Sequence, residues 1–120
     1  MIIGIGVDLI ELNRIESAMI KNKRFITRIL TNQEQLAYHA LPSFKRQVEY
    51  LAGRFAVKEA FAKATGEGLG KLSFQDIEVL RKENGAPFVT ARGFEDKHIF
   101  VSISHSKEYA VAQIVLSNQA

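Results

Sequence analysis

Residues 43–66, SFKRQVEYLAGRFAVKEAFAKATG, form the longest helical pattern in the chain. Ser43 is a typical N-cap residue, and Gly66 is well placed to end the helix in a left-handed conformation. The pattern therefore predicts one long helix from Phe44 to about Thr65.

The sequence before this helix predicts one strand and several shorter helices. Residues 2–9, IIGIGVDL, are rich in β-branched residues and predict a buried strand that ends near Asp8. Polar and apolar residues recur at helical spacing over residues 12–30. A break around residues 21–23 would divide this stretch into two short helices.

A further short helix and four strands complete the predicted domain. Thr31 and Glu34 have capping-box spacing for a helix that should end before Pro42. The predicted strands are residues 72–82, 87–92, 98–104 and 109–116. Asn84-Gly85 indicates a tight hairpin turn between the first two strands. This order predicts an α+β domain with helices packed on a mainly antiparallel sheet.

Length and composition are typical of a single globular domain, which we take to span residues 1–120. The absence of cysteine excludes disulfides, thiolate zinc sites and cysteine nucleophiles, and it is compatible with a reducing cytoplasm. Since the start lacks the features of a secretory signal and no apolar run is long enough to span a membrane, we expect a cytoplasmic protein without a membrane partner. The net charge of +3 favours an anionic partner but is too small to indicate nucleic acid.

The polar side of the long helix carries four charged residues: Arg54, Lys58, Glu59 and Lys63. At about 100° per residue, they lie opposite an apolar arc. The arc consists of Ala56, Val57, Ala60, Phe61 and Ala64. An ordinary solvated face with a Glu59–Lys63 ion pair explains this pattern, and so does a site for a metal and phosphates.

Asp8 adds a second carboxylate to this hypothesis. An aspartate at the carboxyl end of a buried strand could meet Glu59 in a crevice, and two carboxylates suit Mg²⁺, which prefers oxygen ligands. Lys63 could then neutralise phosphate charge. Alternatively, Asp8 is a strand-end or capping residue, and the GEGLG segment at residues 66–70 only terminates the helix.

Four motifs along the chain together resemble one protein family. They are GIGVDLIELNRI near the start, RFAVKEAFAKATGEG in the middle, NGAP, and VSISHSKEYAVAQIV near the end. In this order, and in a chain of this size, they are similar to the holo-[acyl carrier protein] synthases, which are bacterial 4′-phosphopantetheinyl transferases. The resemblance spans nearly the whole chain.

The resemblance implies an activity and a metal. Members of the family transfer the phosphopantetheine arm of coenzyme A to a serine of apo-acyl carrier protein, which releases adenosine 3′,5′-bisphosphate and supports fatty acid biosynthesis. Asp8 and Glu59 would hold Mg²⁺ against the coenzyme A pyrophosphate, and Lys63 would contact that pyrophosphate. Glu59, directly or through a water that it orients, is the preferred general base for the serine.

The same resemblance implies a set of coenzyme A contacts. The candidates are Arg54, Lys58, Lys63, Gly66, Gly68, Ser104 and His105. The arginine and the lysines would contact phosphate, the glycines would line the path of the pantetheine or nucleotide, and the histidine would lie near the 3′-phosphate. Without the resemblance, His105 in the SISHS segment has three possible roles: a turn residue, a phosphate ligand or a member of a hydrolase triad. The absence of a nucleophile elbow disfavours the triad.

Basic residues in the first helical region predict a docking surface for the carrier protein. They are Arg14, Lys21, Arg24 and Arg28. Three of them recur every seven residues and should stay near one helix face, with Ala18 and Phe25 offering apolar contact. Such a surface suits an acidic carrier helix, although a solvated amphipathic helix has the same pattern.

The family forms homotrimers with active sites at subunit boundaries, so the resemblance also implies a trimer. Two other functions remain open from the residues alone. One is a small RNA-binding module, although no RNP-like or KH-type motif accompanies the basic helix, and we expect no nucleic-acid partner. The other is an oligomerisation domain in which Asp8, Glu59 and Lys63 form only an internal ion network.

Overall fold

The computed structural model describes residues 1–118 as one strand, four helices and two hairpins. The first half contains β1 (Ile2–Glu11), α1 (Leu12–Lys21), α2 (Arg24–Ile29), α3 (Asn32–His39) and α4 (Phe44–Thr65). The second half contains β2 (Ile77–Arg81), β3 (Pro87–Ala91), β4 (Lys97–His105) and β5 (Tyr109–Asn118). Short 3₁₀ turns at Gly68–Gly70 and Phe74–Asp76 connect α4 to β2. No helix within residues 1–118 is long and apolar enough to cross a membrane.

The predicted helix ends are confirmed by their hydrogen bonds. Thr31 and Glu34 form a reciprocal capping box at the start of α3. The Ser43 hydroxyl accepts a hydrogen bond from Arg46 N at 3.2 Å, and Gly66 ends α4 with a φ of 78°. The break between α1 and α2 also lies where the sequence predicts it. Local capping chemistry therefore fixes the start of α3 and both ends of α4, whereas the first residues of α1 and α2 follow no side-chain cap.

The predicted α+β class is confirmed. The strands form two antiparallel sheets and not the single sheet that the sequence predicts. β1, β5 and β4 form one sheet in that order, and β2 pairs only with β3. The predicted strand at residues 72–82 is shorter than expected, because Phe74–Asp76 forms a 3₁₀ turn. The Asn84-Gly85 turn is confirmed, with Lys82 N donating to Ala86 O at 2.8 Å.

The prediction that residues 2–9 form a buried strand is wrong for one of the two faces of β1. Ile5, Val7 and Leu9 point away from the helices and are 59%, 55% and 63% exposed. Alternating exposure is what an antiparallel strand shows when only one side packs on a core. Asp8 consequently lies within β1, on the side that faces α4, and not at the end of the strand.

α4 lies directly on β1 because two glycines leave room for its backbone. A Cβ atom on Gly4 would lie 1.9 Å from the carbonyl oxygen of Ala64, and one on Gly6 would lie 1.8 Å from that of Ala60. No side chain fits at such distances. The glycines of the GIGVD motif therefore set the separation between α4 and the strand that carries Asp8.

Candidate functional site

Asp8, Glu59 and Lys63 come together where α4 crosses β1. Lys63 Nζ lies 3.1 Å from Asp8 Oδ1 and also donates to the carbonyl oxygen of Val7 at 3.0 Å. The Asp8 side chain is 15% exposed, whereas that of Lys63 is 54% exposed. The expected Glu59–Lys63 ion pair does not form, because the close crossing of β1 offers Lys63 the carboxylate of Asp8 instead.

The two carboxylates are close enough to influence each other. Partial burial raises the pKa of the Glu59 carboxyl, the charge of Asp8 raises it further, and Lys63 opposes both effects. Within residues 1–118, no cluster of three or more His, Cys, Asp or Glu side chains could hold a metal. A carboxylate pair nevertheless fits Mg²⁺, which usually takes one or two carboxylates and completes its shell with water and phosphate oxygens.

Lys58 does not lie in this site, so its assignment as a phosphate contact is corrected. Its side chain is fully buried, and Nζ donates to Glu34 Oε1 at 2.7 Å. The same ammonium donates to the carbonyl oxygens of Ile29 and Phe74 at 2.7 and 3.1 Å. All three of its donors are therefore used. The wheel misplaced this residue because α2, α3 and the Phe74 turn cover the side of α4 that appears polar in the sequence.

Arg54 is also buried, at 4% exposure, but it keeps an unused donor. Its guanidinium lies over the ring of Tyr50, with 4.0 Å between Cζ and the ring centroid. Within residues 1–118, its Nε is a buried side-chain atom without a hydrogen-bond partner. Burial lowers the pKa of Arg54, although an arginine stays charged at neutral pH. A buried cation with a free donor is suited to an anion.

Arg54 lines a cavity of about 530 Å³ that we call the basic pocket. The pocket is also lined by Arg46, Arg81 and His105, and by one carboxylate, that of Glu49. Glu49 lies 3.7 Å from Arg46 Nε and 3.9 Å from His105 Nδ1. The positive charges outnumber this carboxylate, so the pocket suits a phosphate group.

The basic pocket and the carboxylate pair lie on different sides of α4. Arg54 and Glu59 are five residues apart, which corresponds to a rotation of about 140° around the helix axis. The polar side of the wheel therefore spans two surfaces, since Arg54 lines the basic pocket and Glu59 does not. The two parts of the site are separate surfaces of one chain.

The sequence interpretation missed Arg46, Glu49, Tyr50 and Arg81 of the basic pocket. Arg46, Tyr50 and Arg54 are spaced four residues apart and share one face of α4, so a signal for them was present in the sequence. Arg81 comes from β2, and its position beside α4 depends on tertiary packing. No local pattern predicts it.

The other candidate coenzyme A contacts lie in less enclosed positions. Gly66 and Gly68 both have positive φ angles, of 78° and 73°, so helix termination and the following turn already account for them. His105 is the last residue of β4 and reaches the basic pocket. Ser104 is exposed and does not line that pocket. The roles of Gly66, Gly68 and Ser104 remain predictions.

The four predicted docking residues are all exposed. Arg14 and Lys21 lie on α1, whereas Arg24 and Arg28 lie on α2, which begins after a break in the helix. The seven-residue spacing therefore does not place them on one continuous helix face. Their common surface depends on how the two helices pack together.

The fold and the site define a small α+β protein with a carboxylate pair and a separate basic pocket, both suited to a ligand that carries phosphates. A family model for the 4′-phosphopantetheinyl transferase superfamily matches residues 4–114. The chain belongs to this superfamily, and the resemblance seen in its motifs is confirmed.

Individual relatives show the same likeness. The chain is 56% identical over 119 residues to the holo-[acyl-carrier-protein] synthase of Oceanobacillus iheyensis, and the match covers 99% of each chain. A crystal structure of the Bacillus anthracis synthase in complex with CoA (3′,5′-ADP) has a TM-score of 0.91 and 48% identity, covering 99% of both chains. The Helicobacter pylori synthase in complex with coenzyme A has a TM-score of 0.82 and 32% identity, covering 94% of this chain and 99% of the other.

Proposed function

We propose that this protein transfers the 4′-phosphopantetheine group of coenzyme A to a serine of apo-acyl carrier protein. The serine oxygen bonds to the β-phosphorus, the bond from that phosphorus to the bridging oxygen breaks, and adenosine 3′,5′-bisphosphate leaves. The meeting of Asp8, Glu59 and Lys63 carries this proposal, because it places two carboxylates and one half-exposed ammonium close together where α4 crosses β1. Relatives that are 56% and 47% identical to the chain are holo-[acyl-carrier-protein] synthases.

Each residue of the carboxylate pair has a distinct role in this proposal. Asp8 and Glu59 would hold Mg²⁺ against the pyrophosphate, where the ion would stabilise charge on the transferring group. Lys63 is half exposed, so its ammonium can turn from Asp8 towards a phosphate oxygen. Glu59, whose pKa is raised by burial, accepts the serine proton directly or through a water that it orients.

The basic pocket would take the 3′-phosphate of coenzyme A. Arg54 offers the unused Nε donor, and His105 lies at the end of β4 on the same cavity. Arg46 and Arg81 add charge to it. A phosphate bound there by charge-assisted hydrogen bonds would satisfy the buried guanidinium of Arg54.

A homotrimer is the proposed working unit, and the apolar surface of the chain supports self-association. The outward side of β1 is apolar, and Phe100 of β4 extends the patch at 57% exposure. Exposed apolar patches of this kind are typical of protein interfaces. Since the basic pocket and the carboxylate pair lie on different sides of α4, a neighbouring subunit could bring the pocket of one chain to the carboxylates of another.

The carrier protein would dock on α1 and α2 through Arg14, Lys21, Arg24 and Arg28. Their charge would steer an acidic partner, and Phe25 is half-buried between them. The single domain at residues 1–120, the cytoplasmic location and the link to fatty acid biosynthesis remain predictions.

The decisive experiment mixes the protein with coenzyme A, Mg²⁺ and apo-acyl carrier protein and measures the carrier by intact mass. We expect a phosphopantetheine adduct that requires both the metal and the carrier serine. A carrier with that serine changed to alanine is the control. The proposal fails if no adduct forms while a known synthase modifies the same carrier.

A further inference from the structure

Lys58 and Glu34 form a fully buried junction behind the candidate site. Both side chains have no exposed surface, and Lys58 Nζ lies 2.7 Å from Glu34 Oε1. The ammonium also binds the carbonyl oxygen of Ile29, at the end of α2, and that of Phe74, in the turn before β2. One cation therefore joins α4 to three other segments.

Glu34 extends this junction to β2. Its Oε1 accepts a hydrogen bond from Thr31 N at 2.8 Å, and its Oε2 accepts one from Val79 N at 2.7 Å. Removing two charges from water is costly, so a buried ion pair contributes little to stability compared with an apolar pair of the same size. What the pair does provide is five hydrogen bonds of fixed geometry between α2, α3, α4, β2 and the Phe74 turn.

The position of the junction relates two functional surfaces. Lys58 directly precedes Glu59 on α4, so its bonds fix the rotation of the helix that presents the carboxylate. Ile29 is the last residue of α2, and α2 carries Arg24 and Arg28. The ammonium thus connects the predicted docking helix to the helix that carries Glu59.

We infer that Lys58 is a positioning residue for the transfer reaction. Its ammonium holds α2 and the Phe74 turn in register with α4, so that a carrier bound on α2 presents its serine to the Asp8–Glu59 site. This inference rests on the proposed function. A misplacement of about 1 Å can reduce a rate by about 100-fold, so loss of the junction should act mainly on kcat.

The main test is the double variant Glu34→Gln/Lys58→Met. Lys58→Met alone would leave a buried carboxylate without a counter-charge and could prevent folding, whereas the double variant buries no net charge. We expect kcat for carrier modification to fall by about tenfold or more. The Kd values of adenosine 3′,5′-bisphosphate and of Mn²⁺, measured by calorimetry and electron paramagnetic resonance, should change by less than about threefold. Lys82→Met, at an exposed lysine, is the matched control.

A second test uses chemical rescue, which is selective because the chain has no cysteine of its own. Lys58→Cys is alkylated in the unfolded state with 2-bromoethylamine, which restores an ammonium at nearly the length of lysine, and is then refolded. Alkylation with iodoacetamide gives a neutral side chain at the same position. We expect kcat to return only in the aminoethylated protein, because the neutral form leaves Glu34 without a counter-charge. Circular dichroism shows whether the neutral form is folded, and the two kcat values are compared for the folded fraction.

Specific outcomes would overturn the inference. It fails if the folded double variant keeps kcat within about threefold of the unmodified protein, or if the two alkylated forms are equally active. It also fails if nucleotide affinity falls about tenfold while kcat is unchanged, because Lys58 would then act on coenzyme A. Absence of transfer by the unmodified protein would instead refute the proposed function, and the inference with it.

Discussion

Lys63 Nζ lies 3.1 Å from Oδ1 of Asp8, although the two residues are 55 positions apart in the chain. The contact forms because Gly4 and Gly6 let α4 rest directly on β1. The aspartate is largely enclosed, whereas the lysine is half exposed. The carboxylate is therefore held in place, and the ammonium is the part of the pair that can move to a ligand.

Asp8→Asn should weaken metal-dependent turnover far more than folding. The change keeps the shape of the side chain but removes a carboxylate ligand, and a half-exposed ion pair contributes little to stability. We expect turnover at limiting Mg²⁺ to fall by about tenfold or more, as for other losses of metal-site support. Kinetics over a range of Mg²⁺ concentrations, with thermal melting alongside, measure this. Asp96→Asn is the control, since Asp96 pairs with Lys97 at 3.3 Å on the surface. Equal activity at limiting Mg²⁺ would contradict the metal assignment.

Gly6→Ala should separate α4 from β1. The new methyl group would collide with the carbonyl oxygen of Ala60, and overpacking against backbone cannot be relieved by rotating a side chain. We expect the free energy of unfolding to fall by about 3 kcal/mol, at the upper end for overpacking. Urea unfolding measures the change. Gly70→Ala, where a Cβ meets nothing within 4 Å, should be nearly neutral, and a similar loss in both variants would refute the explanation.

Arg54→Met should affect recognition of the 3′-phosphate. We expect the KM for coenzyme A to rise by about tenfold, as one charge-assisted hydrogen bond is lost, while the KM for 3′-dephospho-coenzyme A stays nearly constant. Steady-state kinetics with both substrates separate these effects. Arg92→Met serves as the control because that side chain is 84% exposed. Equal rises in both KM values would show that the basic pocket does not bind the 3′-phosphate.

Val7→Glu should prevent self-association. Val7 is exposed on the apolar outer side of β1, and a charge there would have to be desolvated in an interface between copies. We expect sedimentation velocity to show a trimer for the unmodified chain and a smaller species for the variant. Leu36→Glu places a charge on an apolar residue of α3 that is more exposed than Val7 and should leave the trimer intact. A monomeric unmodified protein would refute the assembly.

Asp76→Asn should alter stability in a pH-dependent way. A hydrogen bond from the backbone N–H of Ser73, at 3.0 Å, is the main reason why the pKa of Asp76 lies below its ordinary value of 3.8. Because the folded state favours the ionised carboxyl, its stabilising effect is present above that value and is lost as the pH falls through the lower, folded-state pKa. Thermal melting should show a difference between the two proteins at pH 7 that disappears in strong acid. A difference that does not depend on pH would contradict this account.

The helices were predictable because their ends depend on nearby residues. Thr31 with Glu34, Ser43, and Gly66 satisfy or terminate the backbone locally, so each signal can be read without knowledge of the rest of the chain. The division into two sheets was not predictable. The pairing of β4 with β5, and of β2 with β3, is local, but the pairing of β5 with β1 joins the two ends of the chain.

The candidate site was predictable only in part. Asp8, Glu59 and Lys63 could be grouped from their motifs, and the structure brings them together. Lys58 was misassigned, because a helix wheel shows which residues share a side and not which side another element covers. Its burial depends on Glu34, which supplies the only counter-charge within hydrogen-bonding distance among residues 1–118.

The sequence by itself determined the α+β class, the helix ends, the hairpin turn and the family, because these depend on local capping, periodicity and ordered motifs. Only the tertiary structure decided which charges are free to act. The crossing of α4 over β1 brings Lys63 into contact with Asp8. The packing of α2 and α3 on α4 buries Lys58 together with Glu34. The physical reason is that the cost of removing a charge from water, and the partner that offsets it, depend on elements far apart in the chain.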